Sequence, residues 1–575
     1  MAVGEYLGVQ TNHVCMSRPH IYGTQGAVSS NNAYATQAGL EIMKAGGNAM
    51  DAAAATSLVL GVVEPYHAGV GGGCFQVIYC KERNQFFCVD ARGVAPMGAT
   101  EDMFLGSDGE PDSNLTEYSG RAVALPALYR ALDKLLGKFG TMTWEQVSAP
   151  AIRLCREGFR CGFTYARTTN TVESVHNAEA YEGFSALYLN CGAPRNYGEI
   201  IRNPALANTM EQVAKNGVDW FYTGPIAEAI VEYVNRYHGV LTMEDLANCR
   251  AIEREPVCSN YRGYDIISMS PPSSGGMHLI QMLNILENFD LEKMGHLSAQ
   301  EIHVIAETMK MMFADRSVAT ADPAFVDVNV DKIISKEYAR ELAAKIDMDH
   351  AQDFAPTEGI EAKEYKGCTS NFEIMDKFGN VVVQTQTIRN WWGCGVTVPE
   401  WGFIMNNNMA DFSAKVGTIS AHGLSYGTAN RVQPGKTSIS SMSPTIVMKE
   451  GRPFLAVGAA GGPRIITSTL QMILNVIDHG MMINEAVRPP HICCLSLGQS
   501  LELESGISLD TQAILAQKGH HLLQLHQRSN LLVLPNGIQC MNGVFYPGGT
   551  CRVDGAGGVL TDSGNIAIDG MVFVE

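Results

Sequence analysis

A threonine that begins a β-strand and faces a second hydroxyl can be a nucleophile of a particular kind. Once the peptide bond before it is cut, its own α-amine can take the proton from Oγ. The stretch YKGCTSNFEIMDKFGNVVVQTQTI, from Tyr365 to Ile388, offers that arrangement. Two strand-like runs flank Asp376-Lys377-Phe378-Gly379-Asn380, a hairpin turn with glycine where a positive φ is wanted. If the loop has three residues and Gly379 takes the left-handed position, Asp376 pairs with Asn380 and the pairing is symmetric about Phe378. Thr369 then faces Thr387 at the end of the sheet, within reach of hydroxyl contact. The cluster Gly367-Cys368-Thr369-Ser370-Asn371 also reads as an ordinary polar turn, so spacing permits the nucleophile without requiring it.

A second feature bears on the same chemistry. In GAAGGPRIIT, Gly458 to Thr467, an apolar strand runs into Gly461-Gly462 and continues as the helix-like STLQMILNVI. Backbone N–H groups presented at a helix N-terminus can hold an oxyanion, although a plain strand-to-helix turn accounts for the same residues. Three other motifs carry less. GLSYG, Gly423 to Gly427, fits the spacing of a hydrolase elbow but lacks the strand before it and the helix after it. AGVGGGC, Ala68 to Cys74, lacks the lysine of a phosphate loop and reads as a tight backbone passage. HVIAE, His303 to Glu307, is a helix face with no second histidine at zinc spacing.

Elements able to position these residues are legible. A helix runs from about Asn32 to Ala45 and stops at Gly46-Gly47; another starts at Asn48, whose side chain can cap it, and ends at Glu64-Pro65. AVALPALYRALDKLLGKFG, TWEQVSAPAIRLCREGF and SAQEIHVIAETMKMMFADRSV read as further amphipathic helices. Around Glu358 to Thr369 the chain turns polar, as in an exposed linker. Strand signals follow in NFEIM, NVVVQTQTI, TIVMKEGRPFLAVGA, LLVLPN and GGVLTD. A helical front and a strand-rich back predict layered, largely antiparallel sheets covered by helices.

Composition limits the partners. The 575 residues carry 41 basic and 59 acidic side chains, net −18, which disfavours nucleic acid or an anionic membrane. An anionic substrate therefore needs a local arginine cluster. The first residues show no basic-then-apolar signal peptide, and the longest apolar run, Ala52 to Val63, is too short to span a bilayer. Fifteen scattered cysteines without a CxxC pair fit a reducing cytoplasm better than a disulfide framework or a zinc site.

Long ordered motifs carry a resemblance from about Gly26 to the C-terminus. They are AGGNAMDAAAATSLVLGVVEPYHAGVGGGCF, YRGYDIISMSPPSSGGMHLIQMLNILENFD, FADRSVATADPAFV, NNNMADFS, SSMSPTIV and GGPRIIT. The chain resembles the γ-glutamyltranspeptidases (glutathione hydrolases), threonine-dependent members of the N-terminal-nucleophile hydrolases. The resemblance implies an α/β (α+β) fold, a four-layer αββα sandwich made as a proenzyme that cuts itself between Cys368 and Thr369. A large chain, 1–368, and a small chain, 369–575, would stay together as one interleaved domain.

By the same resemblance Thr369 is the nucleophile and Thr387 supports it, while Gly461 and Gly462 supply the oxyanion-hole N–H groups. Arg92, in VDARGVAP, pairs with the donor's α-carboxylate, helped by the hydroxyls of Ser440 and Ser441. Asp411 accepts from the α-ammonium, with Asn408 beside it where the family often has Gln. The implied substrate is a small γ-glutamyl compound, with no cofactor or metal. Other readings are an oxamate- or cephalosporin-type amidohydrolase on the same fold, or an unprocessed binding protein; retained Asp411 disfavours the former, and Thr369, Thr387 and Gly461-Gly462 the latter.

Two positions depart from the family pattern. Where Asn is usual, two residues after Thr387, this chain has Arg389. Facing the pocket, it adds a second cation beside Arg92 and favours a donor with more negative charge; turned outward, it leaves the glutamyl reading unchanged. The step of 29 residues from Asp411 to Ser440 keeps the lid-bearing length, but the lid aromatic falls on His422.

Overall fold

The computed structural model describes residues 21–354, 369–415, 427–495, 500–524 and 533–569. Cys368, His422 and the linker 355–368 lie outside them, as does all of GLSYG but Gly427. Two sheets form the centre. The first has eight strands in the order Ile566–Ile568, Ala556–Leu560, Gly26–Ser30, Ser370–Asp376, Val381–Thr387, Gly73–Cys80, Gln85–Ala91 and Ile252–Arg254. The second has six, in the order Val544–Gly548, Leu534–Met541, Arg452–Ala460, Thr445–Lys449, Tyr264–Ser268 and Val257–Tyr261. Every pairing within both is antiparallel.

Alternation along the strands sorts the core into layers. Val28, Ile78, Phe372, Ile374 and Val382 join the cluster formed with helices Ala33–Lys44 and Ala49–Val63. Their neighbours Ala27, Val77, Met375, Val381 and Val383 join Ile446, Leu455 and Val457 of the second sheet. Helices Gly275–Leu286, Ala299–Ala319 and Arg464–Ile477 contribute to that second cluster and complete the αββα order. Each large apolar side chain so buried contributes about 1.5–3 kcal/mol.

Local signals explain the elements nearest the centre. Asn48 accepts from the N–H groups of Met50 and Asp51, and Asp51 accepts from the Asn48 N–H in return, a reciprocal cap. Asp376, at the hairpin turn, accepts the Ala49 N–H at 2.9 Å, so the turn also satisfies the start of this helix. One predicted helix is shorter than its sequence suggests. Within AVALPALYRALDKLLGKFG only Leu128–Phe139 is α-helical, because Pro126 biases the preceding residue to extended backbone. The extended part is used instead to dock: the Leu125 N–H donates to Val94 O and the Ala127 N–H to Gly72 O. Among the described residues no helix is long and apolar enough to cross a membrane.

Candidate active site

The central hairpin is apolar near its turn and polar at its open end. Beyond Val383 both faces carry Gln384, Thr385, Gln386 and Thr387. Toward the helices, Gln76 donates to Gln384, which donates to Ser57 (2.9 Å) and Gln386 (2.7 Å). Between the sheets, Thr385 Oγ1 donates to Asn371 Oδ1 at 2.7 Å, and Asn371 donates to Glu373. Burial pushes the Glu373 carboxyl well above its ordinary range, against the Asn371 hydrogen bond. These bonds offset part of the cost of burying the polar groups that make them.

The turn sets the register as the spacing predicts. Gly379 has φ +89°, its N–H donates to Asp376 O at 3.1 Å, and pairs run from Val381 with Met375 to Gln386 with Ser370. The next positions are Thr387 and Thr369, whose hydroxyl oxygens lie 3.5 Å apart, long for a hydrogen bond. Thr387 Oγ1 accepts the Arg389 N–H at 2.8 Å, which fixes its direction. Asn31 Nδ2 donates to Thr369 O (3.4 Å), and Ser370 Oγ to Glu64 Oε2 (2.6 Å), so the strand entry is held from both sides. The glycine run packs against the same place. A Cβ on Gly72 would come within 2.3 Å of Thr387 O, and one on Gly71 within 2.0 Å of Ile404 O.

A pocket opens beside the two threonines. Gly462 and Pro463 line one side, where the strand Arg452–Ala460 ends and the helix Arg464–Ile477 begins. Gly461 and Gly462 have φ of +143° and +59°, a turn that suits glycine. Arg92, Asp411, Arg389, Ser440 and Ser441 line another side. Arg92 and Asp411 form a short ion pair. Arg389 is buried and faces inward, answering the question its sequence position raised: Nε donates to Asp411 Oδ1 at 2.8 Å and Nη1 to Glu117 Oε2 at 2.7 Å.

Asn408 stands apart from the pocket lining. Fully buried, it donates through Nδ2 to Arg92 O at 3.1 Å and so braces the arginine's backbone. Two lining or supporting residues were not singled out from the sequence. Arg316, on the helix Ala299–Ala319, donates to Ser274 Oγ (2.8 Å) and Ser441 Oγ (3.1 Å). A charge on an otherwise core-facing helix was the signal available for it. Glu117 ends a short helix, Ser113–Glu117, and offered no signal.

His303 and Glu307 do more than form a helix face. His303 Nδ1 lies 2.8 Å from His520 Nε2, brought from a distant part of the chain, and Glu307 pairs with Lys310 at 2.7 Å. The imidazole contact and the lysine occupy these groups, so the cluster reads as a structural brace.

Chemically, the arrangement joins a hydroxyl pair, a glycine turn at a helix start, and an Arg–Asp pair flanked by serines. A four-layer αββα sandwich with a threonine at the start of a central strand has the architecture of the N-terminal-nucleophile hydrolases. Residues 35–558 match the family model described as Gamma-glutamyltranspeptidase, and the chain belongs to that family. It is 40% identical over 517 residues to the glutathione hydrolase proenzyme of Escherichia coli (strain K12), covering 89% of each chain. It is also 35% identical over 564 residues to the Acylase ACY 1 proenzyme of Pseudomonas sp. (strain SE83), covering 97% of this chain and 96% of that one. Among solved structures, cephalosporin acylase from Bacillus halodurans superimposes with a TM-score of 0.83 at 26% identity, covering 96% of this chain and 97% of that one.

Proposed function

We propose that the protein is an autoprocessing γ-glutamyltransferase and glutathione hydrolase. In maturation, Thr369 Oγ attacks the Cys368 carbonyl, the peptide nitrogen leaves as an amine, and water hydrolyses the resulting ester. This releases a chain 1–368 ending in a carboxylate and a chain 369–575 beginning with the free amine of Thr369. In turnover that amine takes the Thr369 Oγ proton as Oγ attacks a γ-amide carbonyl. The N–H groups of Gly461 and Gly462 hold the oxyanion. The leaving amine departs with a proton, and water or an acceptor amine resolves the γ-glutamyl ester.

The observation that carries this reading is the meeting of the Thr369–Thr387 hydroxyl pair and the Arg92–Asp411 ion pair in the lining of one pocket. A zwitterion laid between Arg92 and Asp411 exchanges their mutual pair for two, carboxylate to guanidinium and ammonium to carboxylate. Ser440 and Ser441 add hydroxyls at the carboxylate end, with Arg316 holding Ser441. Asn408 serves by bracing Arg92. Support also comes from the glutathione hydrolase proenzymes among its relatives. The described cysteines are free thiols, mostly buried, which favours a reducing compartment such as the cytoplasm.

A donor panel tests the function. Release of a common leaving amine is measured from γ-glutamyl, glutaryl and oxamyl anilides. The γ-glutamyl compound is expected to be the best donor; none from it with good release from another acyl group would refute the reading.

A further inference from the structure

We propose that Glu117, which lies behind the pocket and does not line it, sets the preference for donors bearing an α-ammonium by balancing the charge of Arg389. The inference rests on the γ-glutamyl reading of the pocket. Arg389 brings a permanent positive charge within a hydrogen bond of Asp411, the carboxylate assigned to an ammonium. Unbalanced, that charge would cancel the field of Asp411 at the ligand and repel a second cation. Glu117 Oε2 meets Arg389 Nη1 from the opposite side at 2.7 Å.

The order of charges is therefore Glu117, Arg389, Asp411, Arg92, alternating in sign from the interior toward the ligand. The side chains of Arg389 and Glu117 are 2% and 10% exposed, so solvent and salt screen the pair weakly. Glu117 is itself gripped, accepting from Asn390 Nδ2 and, at 3.2 Å, from Asn407 Nδ2. A buried carboxylate with three donors from the segments around the site is held in place. Its effect on the ligand runs through Arg389, which makes Glu117 a positioning residue.

The test compares kcat/KM for γ-glutamyl and glutaryl anilides, which differ only in the α-amine, in wild type, E117Q, R389N and the double variant. E117Q is expected to lower the glutamyl-to-glutaryl ratio by about 10- to 100-fold, mainly through KM of the glutamyl donor, the range for losing one charged hydrogen bond. R389N removes the charge that needs balancing, so the double variant is expected to keep the ratio of R389N within about threefold. Equal losses on both donors in E117Q would show a merely structural role and overturn the inference. A double variant with a ratio far below that of R389N would overturn it as well, and decides the matter if E117Q alone does not fold. A wild type inactive on the glutamyl donor would instead refute the γ-glutamyl reading.

Discussion

Thr369 and Thr387 face each other across the open end of the central hairpin, their hydroxyl oxygens 3.5 Å apart. The turn that aligns them lies at the other end, where Gly379 takes φ +89°. Strand register has a side-chain period of two, so a slip of one residue at the turn would send one of these hydroxyls to the opposite face. Thr387 is held further by the Arg389 N–H, at 2.8 Å. Support for the proposed nucleophile is thus set by backbone pairing before any side chain of the pocket is considered.

Replacing Thr387 is expected to act on rate more than on donor binding. Thr387→Ala should lower kcat for a γ-glutamyl anilide by about 10- to 100-fold, the range for a hydrogen bond to a reacting group, and should slow chain cleavage. Thr387→Ser, which keeps the oxygen, should retain most of both. Steady-state kinetics on the two variants decide this; equal activity in both would remove Thr387 from the mechanism.

Gly72 is expected to matter without touching the substrate. Its Cβ would stand 2.3 Å from Thr387 O and 2.9 Å from Ile388 Cγ2, so Gly72→Ala must displace the strand that carries Thr387. Slower appearance of the two chains on a denaturing gel is the expected outcome. Cleavage at the wild-type rate would mean that the strand absorbs the methyl group without moving Thr387.

Arg92→Lys should separate binding from chemistry. A lysine keeps the charge but loses the planar fork that meets a carboxylate with two bonds. KM for the γ-glutamyl donor should rise by about 10- to 100-fold with a smaller change in kcat. An unchanged KM would place the donor's carboxylate elsewhere.

Glu373 supplies a pH-dependent term between the sheets. Its folded carboxyl titrates well above the ordinary value of 4.5 because burial disfavours the charge. Above about pH 4.5 the unfolded chain therefore binds fewer protons than the folded one, and stability falls as pH rises, by at most about 1.4 kcal/mol per unit from this group. Glu373→Gln, an uncharged isostere, should lose that slope. The Tm difference in its favour should widen as pH rises above about 5, and parallel melting curves would contradict a carboxyl raised by burial.

Much of this was legible in the residues. The hairpin register followed from one glycine and the period of a strand, and the cap at Asn48 from a side chain ahead of an apolar run. The pocket was less so. Arg92 and Asp411 lie 319 positions apart, and no spacing rule joins them; they were singled out through family resemblance. Glu117 and Arg316 escaped because a buried charge is identified by its partner, and tertiary packing chooses the partner. The same holds for His520 beside His303, 217 positions away. The inward side chain of Arg389 was left open by the sequence for want of the counter-charge that Glu117 provides.

The proposed role of Thr369 is tested most directly by intact mass and N-terminal sequencing of the purified protein and its Thr369→Ala variant. The expected result is two wild-type chains, the smaller beginning at Thr369, and a variant that remains one chain. A wild type that stays full length after prolonged incubation, or a variant cut at the same bond, would contradict it.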